Sequence, residues 1–243
     1  MIRNFNLDSK HVGCNNQLNR EVWLEATLKK IPKGKSILDA GAGELQYKRF
    51  CGHLKYSSQD FGQYDGKGNK NGLQTDSWDN SKLDIVSDIA QIPVKDGSFD
   101  AVMCVEVLEH IPHPIEAIKE FSRVVKPNGY LIITAPVSSL THFAPYYFYN
   151  GYSHYWYEKY LVENGFKITE LEFNGNWFES VAQEMRRIPN MLEEFTEETT
   201  WSKSDKLALK KLLATLEKAS KNNNGSEELQ SHAIHVLARK KGK

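Results

Sequence analysis

Cysteine is scarce in this 243-residue chain: Cys14, Cys51 and Cys104 are scattered, odd in number and without metal-ligand spacing. That argues against a disulfide framework and against a cysteine-held zinc, and it makes a reducing cytosol the expected home. An excess of charge is missing as well, since Lys+Arg and Asp+Glu both number 31. A non-specific nucleic-acid binder draws its affinity from basic phosphate contacts, so no nucleic-acid partner is expected. No stretch approaches the roughly 18 consecutive apolar residues of a membrane span. The opening MIRNFNLDSKHVG has no apolar signal-peptide core. The expectation is a cytoplasmic protein with no membrane span, long enough for one large domain. No internal repeat is visible.

What is present is an alternation of short apolar runs with helical periods, the mark of βαβ units. Strands are expected at Ser36–Asp39, Leu54–Gln59, Leu83–Ser87, Phe99–Val105, Gly129–Ala135, Phe166–Phe173 and His232–Ala238. Ile115, Ile118, Phe121 and Val125 recur at helical spacing and predict a helix over Pro114–Val125, ended by the turn residues Lys126-Pro127-Asn128-Gly129. A further helix is expected at Tyr155–Glu163. Beyond the sixth strand comes a charged helical region in which Leu209, Leu212, Leu213 and Leu216 share a face. Phe61–Asn80 reads as a long polar loop, and such loops are often functional.

The first strand runs into ILDAGAGE, Ile37 to Glu44, with Asp39 ahead of Gly41 and Gly43 and a helix-like stretch expected from Leu45. A buried strand feeding a glycine turn and a helix is a nucleotide-binding geometry, because glycine lets the backbone approach the ligand. The dinucleotide fingerprint wants a third glycine where this chain has Gln46, which disfavours an NAD oxidoreductase. Asp60, with Phe61 after it, falls about 20 residues past the turn, where a carboxylate accepts ribose hydroxyls; an aspartate opening a loop is the ordinary alternative. Asp88 and Ile89 follow the third strand, placed for an adenine amino group and a ring nitrogen, or as a plain surface turn.

The ordered set Asp39-x-Gly41-x-Gly43, Asp60, Asp88-Ile89, then FDAVMCVEVLEHIPHP over Phe99–Pro114 and KPNGYLI over Lys126–Ile132 resembles the type 11 family of class I S-adenosylmethionine (SAM) methyltransferases. The resemblance covers about Ser36 to Phe173. It implies an α/β fold with a Rossmann-like, mostly parallel seven-stranded sheet, an antiparallel last strand and helices on both faces. It implies SAM as cofactor. The organisation expected with it is an N-terminal helical cap over 1–34, a SAM-binding core and acceptor segment over 35–175, a helical insertion over 176–230, and a final strand with a basic tail over 231–243. Ligands in such sheets lie beyond the carboxyl ends of the strands, which places Val105 and Glu106 by the methionine portion of the cofactor. Glu106 also suits a helix start facing the dipole.

Ala135–Tyr160 carries two histidines, seven tyrosines, a tryptophan and two phenylalanines. In the family this segment forms the acceptor side of the site, and HFAP…YFY…GYS resembles its counterpart in methyltransferases of bacterial surface-glycan biosynthesis. Tyr146, Tyr147 and Tyr152 are therefore expected to position the acceptor, a small molecule such as a sugar or sugar nucleotide. Methyl transfer from a sulfonium is an in-line displacement that needs orientation, and an alcohol acceptor must also lose a proton. His142 is the first choice for that base, ahead of His154 and His110. The pair Glu106 and His110 suggests a metal, but no third ligand at useful spacing appears, so no metal site is expected. The rival functions are methylation of a quinone or other lipid precursor and a non-catalytic binding module of the same fold; the sequence is silent on oligomeric state.

Overall fold

The computed structural model describes residues 11–197 and 201–242. Its elements in chain order are helix α1 (Asn16–Leu28), strands β1 (Ser36–Ala40), β2 (Lys55–Asp60), β3 (Ile85–Val86) and β4 (Phe99–Val105), helix α2 (Pro114–Val124), strand β5 (Val125–Pro136), helix α3 (His154–Glu163), strand β6 (Phe166–Asn174), helices α4 (Trp177–Phe195) and α5 (Lys203–Lys221), and strand β7 (Ala233–Lys240). The strands make one sheet in the order β3-β2-β1-β4-β5-β7-β6. Pairing is parallel from β3 through β5. β6 and β7 run antiparallel: the His232 N–H donates to the Asn174 carbonyl at 2.9 Å and the Lys241 N–H to the Gly165 carbonyl at 2.8 Å, so one number rises as the other falls. This is the Rossmann-like sheet the motifs imply.

The chain resolves into two compact units. One spans Glu21–Glu172 and Ile234–Lys243; the other takes the stretch up to Arg20 together with Phe173–Ala233. The first is built on the apolar strands. β1 and β4 are buried almost throughout, as parallel strands covered on both faces must be. Trp23, Leu24 and Leu28 of α1 pack with Ile37, Met103, Val105 and Ile132 in one cluster. β2 is a poor strand by composition, and its polar residues are held by neighbours. Ser58 donates from both its N–H and its hydroxyl to Asp84 at 2.9 Å, and the Gln59 amide donates to the Ser87 carbonyl at 2.7 Å. In the second unit Leu209 and Leu213 are buried with Val12 and Ala182, and α5 opens on a reciprocal cap between Ser202 and Asp205.

Three expectations are corrected. No α-helix follows the glycine turn: Leu45 takes φ +64°, which a right-handed helix cannot contain, and only a short 3-10 turn forms at Lys48–Phe50. The KPNG residues end α2 but lie inside β5, not ahead of it. Partners jump from Phe99–Val125 to Ala101–Tyr130, a bulge in which Asn128 takes φ +61°. Leu212 is 49 % exposed and does not share the buried face of Leu209 and Leu213, because it is offset from the i, i+4 stripe.

Candidate functional site

The carboxyl ends of β1, β2 and β4 lie on one side of the parallel sheet, and the motif residues meet there. After β1 the chain turns through Gly41 at φ +80° and Gly43 at φ +49°. The N–H groups of Gly41 and Ala42 both donate to the Gln59 carbonyl, at 2.8 and 2.9 Å. Asp60, at the end of β2 and 8 % exposed, receives the Gly43 N–H on one oxygen and the Gly62 N–H on the other, each at 3.0 Å. The carboxylate is thus fixed against the turn, and each oxygen keeps a lone pair for a further donor.

Asp39 lies beneath the turn and is buried. The Tyr56 hydroxyl donates to it at 2.7 Å. Burial, joined by the nearby Asp60 charge and opposed by the Tyr56 hydrogen bond, pushes the Asp39 carboxyl up to about 7. Val105 closes β4 inside the core, and Glu106 follows it at φ +55°. Thr134 holds Glu106 twice: its carbonyl accepts the Glu106 N–H at 2.9 Å and its hydroxyl donates to the Glu106 carboxylate at 2.8 Å. Asp88 is exposed, and it accepts the Ala90 N–H at 2.8 Å. Ile89 beside it is buried.

The polar loop after β2 is an ordered part of this face. The Leu73 N–H donates to the Thr141 carbonyl at 3.0 Å and the Phe143 N–H to the Leu73 carbonyl at 2.9 Å, so the loop is stitched to the acceptor segment. Asp79 is tied to Glu44 of the glycine turn through its N–H at 3.0 Å. Between these anchors Trp78 lies over Gly43, where an added Cβ would come within 2.5 Å of its Cζ2. Trp78 packs on Phe143 at 5.3 Å between ring centroids, and Tyr64 packs on both. Gly43→Ala should therefore displace Trp78 and strain a left-handed backbone, lowering stability by about 1–3 kcal/mol. A melt and tryptophan emission indistinguishable from those of the parent would contradict this packing.

Phe143 links the glycine turn to a cluster of titratable groups. The His110 ring stacks on it at 5.2 Å and the His142 ring meets it edge-on at 5.1 Å. The two imidazoles are 4.6 Å apart, and Tyr147 adjoins His142 at 5.3 Å. Glu109, 1 % exposed, places one carboxylate oxygen 3.8 Å from His110 Nε2 and 4.0 Å from His142 Nε2. Burial, with His142 alongside, drives the His110 imidazole down to about 3, so it is neutral at ordinary pH. A carbonyl can only accept, so the 2.6 Å contact between His110 Nδ1 and the Tyr146 carbonyl puts the ring proton on Nδ1.

Among the residues expected from sequence, the structure gathers His110, His142, Tyr146, Tyr147 and Phe61, whose ring meets Tyr146 at 4.8 Å. His154 opens α3 with its ring 3.8 Å from Tyr155. Tyr152 is buried and its hydroxyl donates to the Leu108 carbonyl at 2.7 Å, which commits that group to anchoring the segment. Glu109, Tyr64, Trp78 and Phe143 escaped the sequence reading. The glutamate paired with His110 from sequence, Glu106, is held by Thr134, and the carboxylate beside His110 and His142 is that of Glu109.

The family described as a methyltransferase domain matches residues 60–133. Ubiquinone biosynthesis O-methyltransferase of Xanthomonas oryzae pv. oryzae is 38 % identical over 63 residues, 26 % of this chain and 26 % of that protein. The chain thus matches about a quarter of the length of such curated relatives. In fold, a SAM-dependent methyltransferase from Archaeoglobus fulgidus matches with TM-score 0.53 and 15 % identity, over 90 % of this chain and 94 % of that one. Phosphoethanolamine N-methyltransferase 2 of Haemonchus contortus, solved with S-adenosyl-L-methionine, gives TM-score 0.52 and 17 % identity, over 93 % of this chain and 53 % of that one. The [4+2]-cyclase SpnF gives TM-score 0.56 and 18 % identity, over 96 % and 88 %. Residues 60–133 carry the methyltransferase-domain pattern, and the whole sheet has the class I methyltransferase fold.

Proposed function

We propose that this chain is a class I SAM-dependent methyltransferase that O-methylates a small hydroxylated ring compound. Because a cyclase shares the fold, the fold alone does not decide the reaction. The observation that carries the reading is the continuous run from cofactor turn to acceptor segment: Asp60 on the Gly43 N–H, Trp78 over Gly43, Phe143 on Trp78, and His110, His142 and Tyr147 beyond it. Asp60 would hold the ribose of SAM, Asp88 and Ile89 the adenine, and Gly41, Val105 and Glu106 the methionine portion, and the bound cofactor would supply an activated methyl group. Asp39 supports the turn and faces the cationic end. The acceptor stacks on the aromatic wall, and its proton leaves at the His142 end.

A sugar or glycan precursor is the acceptor class favoured by the HFAP…YFY…GYS segment. A phenolic quinone precursor is a second reading, supported by the names of the matching relatives and by a rim of Leu140, Phe148 and Tyr149, all exposed. The test is methyl transfer from labelled SAM to two panels, free and nucleotide-linked sugars against dihydroxylated benzoquinol precursors, with His142→Ala beside the parent. His142→Ala should keep its melting shift with SAM while turnover falls by about two orders of magnitude. No transfer to either panel together with no shift on adding SAM would refute the proposal.

A further inference from the structure

The geometry points to a divalent-cation site formed by Glu109, His110 and His142. One ligand atom from each lies within 4.8 Å of the others. Two come from the 3-10 turn after β4 (Leu108–His110) and the third from the segment after β5.

Each imidazole is oriented from behind. His110 Nδ1 donates to the Tyr146 carbonyl at 2.6 Å, and His142 Nδ1 contacts the Leu140 carbonyl at 2.8 Å. A metal-bound histidine ordinarily donates its other ring N–H to a carbonyl or carboxylate, which fixes the tautomer and the ring plane. Here that arrangement turns the Nε2 atoms of both rings toward one Glu109 carboxylate oxygen, at 3.8 and 4.0 Å. His110 Nε2 is sealed from water and has no hydrogen-bond partner. A cation at the centre of these three ligand atoms would be held by the carboxylate charge and by both ring nitrogens. Ligand atoms around a tetrahedral ion stand about 3.4 Å apart, so small side-chain rotations close the site. Two imidazoles and one carboxylate suit Zn²⁺ and its first-row neighbours better than Mg²⁺ or Ca²⁺.

Three protein ligands leave coordination positions open to water or to an incoming oxygen. If the methyltransferase reading holds, that oxygen is the acceptor hydroxyl. Its proton then passes to solvent because the cation lowers its pKa, and His142 serves as ligand, not base. Only this role rests on that reading; the binding itself does not.

The full chain, stripped with EDTA and dialysed, is titrated with Co²⁺ alone while visible absorption is followed, and with Zn²⁺ alone by calorimetry. One ion per chain is expected, with the visible bands of a low-coordinate nitrogen–oxygen site. Glu109→Gln and His142→Ala should each weaken binding by more than the roughly 10–100-fold that a supporting residue costs. His142 is the less buried of the two, so His142→Ala keeps the test decisive if Glu109→Gln fails to fold. No bound ion, or affinities unchanged in the folded variants, overturns the site. A SAM-induced melting shift, measured on the same samples, is expected to survive both substitutions. Its absence from the parent would count against the methyltransferase reading while leaving the cation site standing.

Discussion

Asp60→Ala should all but abolish the melting shift expected when SAM is added to the parent protein. A ligand at 100 times its Kd stabilises a native state by about 2.7 kcal/mol, which for a chain of this size raises Tm by about 5–10 °C. The carboxylate is held by the Gly43 and Gly62 N–H groups at 3.0 Å each, so it would meet a ribose already oriented. A hydrogen bond to a charged group contributes about 1.5–3 kcal/mol, and a vicinal diol offers two. Losing both should weaken SAM by about two to four orders of magnitude and leave a shift of at most about 1–2 °C at that ligand concentration. The alanine also strips the turn of the acceptor for two backbone donors, so the unliganded protein melts lower. Asp60→Asn separates the effects: it fills the same space and keeps one acceptor oxygen, so its unliganded Tm lies nearer the parent while its SAM shift stays small. A full shift in Asp60→Ala, measured by scanning fluorimetry, would remove Asp60 from the ribose.

The shape of the glycine-turn end of this candidate site was legible because its signals are local. A turn needing positive φ announces itself as Gly41 and Gly43, and a carboxylate at the end of the next strand falls at a spacing set by one crossover between parallel strands. The acceptor end depends on contacts that sequence order hides. Trp78 reads as one apolar residue in a polar loop, and only the fold lays it on Gly43. Glu109 reads as a charge in a short helical turn, yet the backbone buries it facing His142, which belongs to another strand's exit. The helix expected after Gly43 does not form, for a local reason that composition could not show: Leu45 takes a left-handed conformation more usual for glycine. β2 was found, shifted by one, despite its polar residues, whose partners Asp84 and Ser87 stand immediately before and after β3.

Asp39→Asn should stabilise the unliganded protein at neutral and alkaline pH and weaken its hold on SAM. In the folded state the Asp39 carboxyl titrates at about 7; in the unfolded chain it returns to the ordinary range near 4. The folded state therefore holds a proton that the unfolded state has lost throughout that window. Stability due to this group is complete below about pH 4 and is lost as pH rises through about 7, by about 1.4 kcal/mol per pH unit and about 4 kcal/mol in all. Asparagine has no proton to lose and still offers the Tyr56 hydroxyl an acceptor, so its denaturation midpoint should lose this slope. The two proteins should agree below about pH 4, part progressively between about pH 4 and 7, and keep a constant difference above that. A carboxylate retained at such a cost beneath a nucleotide turn fits a site that binds a cationic ligand: the ammonium and sulfonium of SAM favour the charged form, pull the Asp39 pKa down, and release a proton on binding. Calorimetry near pH 7 in buffers of different ionisation enthalpy reads that proton directly, and the asparagine variant should release none. Equal pH slopes in both proteins would mean that Asp39 stays charged in the folded state. Proton release unchanged in the variant would assign the proton to another group.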